Sequence, residues 1–242
     1  MEKRAQIAIF VVVGILIVVA ALVVFLWIKP SASFGRGVLS FEGCVQDVAT
    51  DSITALEENV GIDDGITYRF MGQEIPYLCY TEDYYKTCIV QHALIVENFQ
   101  RKLKESISEG VQECYSENVE RLKKKGLEVV SGDVDFDVFL ELGRVRIEIN
   151  APTSISGSKF SKLSVEFASP IYDMLTLTTT IVQYESRFGD APVDYITNLY
   201  PDYLVTKFKM SEGTTIYTIK NKKTGDEIKF ASRSLRFPAG YK

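Results

Sequence analysis

An α+β domain behind an N-terminal transmembrane helix is the fold class that this sequence predicts. Three observations carry it. Ile7 to Ile28 is an unbroken apolar run without a charge. Between Val38 and Lys125, apolar residues recur mostly at three- and four-residue steps, the period of a helix face. From Leu127 the period switches to two, the signature of half-buried strands. Segregated helices and antiparallel meanders make an α+β fold.

The apolar run comes first. Its 22 residues would span about 33 Å as a helix, enough for a hydrocarbon core of about 30 Å. A removed secretory signal has a shorter apolar core, roughly 7–15 residues. Trp27 and Lys29 are interfacial anchors, and Pro30 stops the helix. Lys3 and Arg4 precede the run, against Lys29 and the more distant Arg36 after it. The positive-inside rule therefore places the amino terminus in the cytoplasm and the carboxy-terminal domain outside.

Lys3-Arg4-Ala5-Gln6 stands directly before the apolar run. This stretch resembles the class III signal of archaeal type IV pilin-like proteins. The resemblance covers about the first 28 residues. It implies cleavage by a prepilin peptidase between Ala5 and Gln6, with the helix retained as anchor or filament core. The chain departs from the bacterial pilin pattern at Phe10, where those proteins carry a Glu. A plain single-pass anchor, with basic residues that only set topology, is the other reading of the same start.

The segments follow in order: a basic leader 1–6, a transmembrane helix 7–28, and a linker 29–37 containing "SASFGRG". Next come a helical subdomain with a β-hairpin, 38–126, and an α+β meander subdomain, 127–242. The first subdomain opens with a helix whose stripe is Val38, Phe41, Val45, Val48 and Leu56. A hairpin joins Ile66–Phe70 to Ile75–Tyr80, and Pro76 argues for an edge strand. A long helix is expected from Thr87 to Lys125, kinked at Gly110 and closed by Lys123-Lys124-Lys125-Gly126.

In the second subdomain, Val134, Phe136, Val138 and Leu140 face one side of a strand. A turn leads to Val145, Ile147 and Ile149, and Phe160–Ala168 completes a meander. Ser169-Pro170 starts a threonine-rich helix that ends before Gly189. A short helix near Val193–Leu199 and three strands follow: Tyr203–Met210, Thr214–Lys220 and Glu227–Ser232.

The four cysteines allow three pairings. The short loop "CYTEDYYKTC" favours Cys79–Cys88, leaving Cys44–Cys114 to staple the first helix to the second. Two disulfides fit an outward-facing domain; four reduced thiols would fit an inward-facing one.

Other chemistry is thin. His92, the only histidine, follows Cys88 by four residues, which would put both on one helix face. No third group orients them, so a thiolate–imidazole nucleophile is not expected. One His and scattered Cys lack the close ligand pairs of a zinc site. Asp133, Asp135 and Asp137 share a strand face but lack the turn glycine and distal Glu of a calcium loop. Neither a phosphate loop nor a nucleophile elbow is present, so no cofactor is implied and an enzyme is not expected. A net charge of −5 argues against nucleic acid as a partner. The expected function is that of a single-pass membrane-anchored cell-surface protein with a structural or interaction role, a pilin-like filament subunit among the options. Its partners would be the lipid bilayer and like subunits or other surface proteins. An anchored extracellular enzyme or carbohydrate-binding module is the alternative.

Overall fold

The computed structural model describes residues 32–236. The leader, the expected span 7–28 and the Ala5/Gln6 position lie outside the described residues. Among the described residues, no helix is long and apolar enough to cross a membrane. Phe41–Lys242 forms one compact unit, and it is an α+β fold with four described helices and antiparallel-rich sheets.

Helix α1 spans Ala32–Glu57, so the stretch read as a linker is helical from Ala32 onward. Gly35 and Gly37 each cost about 1 kcal/mol against Ala in a helix interior, too little to stop so long a helix. Strands β1 (Thr67–Phe70) and β2 (Gln73–Tyr80) form the hairpin. β2 is an interior strand rather than the expected edge, because β10 (Glu227–Arg233) pairs with it in parallel. Pro76 is tolerated there for a local reason. Tyr77 N–H bonds back to Ile66 on the β1 side, so alternation turns the Pro76 nitrogen to the other side. The β10 pairing begins only at Tyr77.

Helix α2 runs Ile95–Lys124, starting later than Thr87. Before it, Cys88 is tied to Cys79 and β3 (Ile89–Val90) pairs with β2. A covalent bridge and a ladder override the local helical pattern. α1 and α2 pack antiparallel. Phe41 meets Tyr115 edge-on, Cys44 bonds Cys114, and the Ser106 hydroxyl reaches that of Ser52. Gly110 serves this contact rather than a kink: a Cβ there would lie 2.6 Å from Val48 Cγ1.

The smaller sheet holds β4 (Val129–Ser131), β5 (Asp135–Glu141), β6 (Arg144–Ile155) and β7 (Ser158–Ala168). β6 is central, with β7 along one side and β5 then β4 along the other. Strict alternation buries Phe136, Val138, Leu140, Val145, Ile147 and Ile149. Helix α3 (Ile171–Phe188) lies between the sheets, touching β5 and β6 on one and β2 and β10 on the other. Its threonines do not break it. Thr176, Thr178, Thr179 and Thr180 each donate a hydroxyl hydrogen bond to the carbonyl four residues back. Gly189 ends the helix at a left-handed φ of 78°.

After α4 (Val193–Leu199), β8 (Tyr203–Lys209), β9 (Thr214–Asn221) and β10 finish the larger sheet, in the order β1-β2-β10-β9-β8. One main hydrophobic cluster joins all three long helices and both sheets. The sequence segments on either side of Gly126 thus share both a sheet and a core.

Candidate functional site: an acidic groove at the end of α1

α1 ends in an unusual way. Helix carbonyls make its carboxy terminus electronegative, which favours cations in the last turn. This last turn has none. It carries Glu57, and Glu58 follows. Gln73 at the start of β2, Asp226 in the β9–β10 turn, and Glu227 and Lys229 at the start of β10 complete a groove of about 400 Å³.

Glu57 lines the groove yet is only 6% exposed. Neither of its carboxylate oxygens has a hydrogen-bond or ion-pair partner among the described residues. Burial, and then the negative charge of Asp226, push its pKa up to about 8. One cation, Lys229, lines the groove itself, and it and two other lysines are engaged in ion pairs. Lys229 pairs with Glu227 at 2.7 Å, Lys223 with Asp202 at 2.9 Å, and Lys102 with Asp63. The arrangement keeps the Glu57 carboxyl protonated at neutral pH. It does not form a metal centre: among the described residues, no group of three His, Cys, Asp or Glu side chains could hold a metal ion.

A second buried acid lies inside the fold. Glu185, on α3, accepts hydrogen bonds from the Tyr217 hydroxyl and, at 3.1 Å, from the Ser232 hydroxyl. Burial raises its pKa, and those two hydrogen bonds partly oppose the rise. Ser232 Oγ also lies 3.5 Å from Cys88 Sγ. The network is sealed, with Glu185 1% exposed and Ser232 fully buried, so it stabilises the core rather than meeting a ligand.

The structure forms both Cys44–Cys114 and Cys79–Cys88, with Cα separations of 5.8 and 5.3 Å, and leaves no free cysteine. His92 sits in the loop between β3 and α2, not on a helix face with Cys88, and the Cys88 sulfur is bonded. The aspartates on the strand face do not converge. Asp137 pairs with Lys104 at 2.8 Å, Asp135 accepts the Phe136 N–H, and Asp133 is exposed before β5.

Sequence reasoning missed Glu57 and Asp226. The available signal was the acidic last turn of α1, where cations belong. No protein-family model matches this chain, and neither a curated protein nor a solved structure shows significant similarity to it.

Proposed function

We propose that this chain is a single-pass, membrane-anchored cell-surface protein whose α+β domain faces outward in a structural or interaction role. The observation that carries the reading is the closure of all four cysteines into two disulfides. Such bonds persist in oxidising compartments and are rare where thiols are kept reduced. The apolar run Ile7–Ile28 supplies the anchor. The Lys3-Arg4-Ala5-Gln6 stretch supports the pilin-like variant, in which the retained helix also joins subunits.

Two measurements test this. Thiol alkylation in intact cells, followed by non-reducing peptide mapping, should find both bridges; four free thiols would overturn the outward orientation. Intact mass of the membrane-extracted protein should show a chain beginning at Gln6 for the pilin-like variant. A mass retaining Met1–Ala5 would end that variant and leave the plain anchor.

A second reading, an anchored binding module, is favoured by the unpartnered Glu57 in its groove.

A further inference from the structure

We propose that the end of the domain at which α2 terminates is a docking surface for anionic lipid headgroups of the bilayer that anchors the chain. This inference rests on the membrane-anchored reading and adds the surface that meets the lipid. Lys123, Lys124 and Lys125 close α2, and all three are exposed. Cations there complement the helix dipole. Three in succession also fan around the helix end at about 100° per residue, so the run presents charge on several sides. Glu120 and Glu128 flank it and leave it a positive surplus. Among the described residues, none of the three lysines is in an ion pair, whereas seven lysines elsewhere on the domain are.

The neighbouring strands extend this surface. The Ser156 N–H bonds to the Glu128 carbonyl at 2.9 Å, which holds the β6–β7 turn beside the segment that leaves α2. Val130, 65% exposed, stands opposite Ser154, and Ser154 stands opposite Lys159. Val130, Pro152 and Lys159 line a groove of about 360 Å³. An exposed valine and a proline among lysines suit the boundary of a bilayer, with charge toward phosphate and small apolar groups toward the acyl region.

The course of the chain selects the occupant. α1 and α2 are antiparallel, and the compact unit begins at Phe41, whose ring meets Tyr115. From Tyr115, α2 runs on about 14 Å to Lys124, toward the side from which the chain enters the unit. The lysine run therefore projects from the tethered end. Gly61 meets Phe99 at the other end of the helix pair. Thirteen residues lead from Ile28 to Phe41, a reach of at most about 45 Å. A bilayer holding residues 7–28 thus stays within that distance of the tethered end, a standing proximity that a freely diffusing partner lacks.

The test uses the full chain in lipid nanodiscs whose headgroups carry a dilute nitroxide, with relaxation enhancement of backbone amides as the readout. Discs of phosphatidylcholine are compared with discs containing about one third phosphatidylglycerol. Enhancement at Lys124, Val130 and Gly157 should be at least about fivefold larger in the anionic discs. It should fall to the phosphatidylcholine value in about 0.5 M salt, with Gly61 unchanged throughout. Lys123→Gln/Lys124→Gln/Lys125→Gln should abolish the difference, and Lys123→Arg/Lys124→Arg/Lys125→Arg should keep it. Equal enhancement in the two lipids, a Gln triple that behaves as the parent, or an equal gain at Gly61 would overturn the proposal. Carbonate washing of vesicles reads the anchor separately. A chain that stays in the membrane without a lipid-dependent gain keeps its anchor and loses the docking surface; a chain stripped from the membrane loses both.

Discussion

Gly110 and Val48 face each other across the α1–α2 contact so closely that a Cβ on Gly110 would fall 2.6 Å from Val48 Cγ1. Val48 is β-branched and stiff in a helix, so it cannot swing clear. Gly110→Ala should therefore destabilise the fold by about 1–2 kcal/mol, overpacking outweighing the gain in helix propensity. Adding Val48→Ala should recover part of the loss. Chemical denaturation of the two single variants and the double variant reads the coupling.

The two disulfides close loops of very different length, with sequence separations of 70 and 9. In the loop-entropy view their removal costs about 4 and about 3 kcal/mol. Replacing Cys44 and Cys114 by Ala should lower Tm more than the same change at Cys79 and Cys88. Calorimetry of the two double variants makes the comparison.

Glu57 gives stability a pH dependence of definite sign. In the unfolded chain its carboxyl ionises near 4.5, and in the folded one near 8. The folded state thus keeps a proton that the unfolded state has lost, and stability falls as pH rises through that window. Glu57→Gln should flatten this fall, and at pH 9 the variant should exceed the parent by on the order of 2 kcal/mol. Urea titrations at pH 5, 7 and 9 show the crossing.

Glu185 shifts in the same direction, but its oxygens are in use. Glu185→Ala strands the Tyr217 and Ser232 hydroxyls in the core and should cost on the order of 3 kcal/mol. Glu185→Gln keeps an acceptor and should cost less. Thermal melts of the two variants at pH 6 separate the lost hydrogen bonds from the lost charge.

Much of this fold is legible in the chain because local signals agree with it. The β5–β7 meander follows from alternation so regular that a one-residue slip would turn Phe136, Val138 and Leu140 outward. Gly189 ends α3 where a left-handed residue is needed. The illegible parts depend on distant partners. β3 and β4 are two and three residues long and exist only by pairing with β2 and β6. The parallel join of β2 to β10 links Tyr77 to Ala231, and no local pattern announces it. Glu57 follows the same logic. Its place at a helix end is visible in the sequence, but its burial depends on a hairpin formed some 170 residues later.

That join also sets the order of assembly. β10 is the last strand of the larger sheet, yet it sits between β2 and β9. As the chain leaves the ribosome or a translocation pore, β2 keeps one flank of backbone donors and acceptors open until Arg233 has emerged. Such an open flank is a template for pairing with any passing strand. The domain therefore folds only after nearly its whole length is delivered, and a chain stalled before β10 is a ready substrate for chaperones and proteases rather than a smaller version of the same protein.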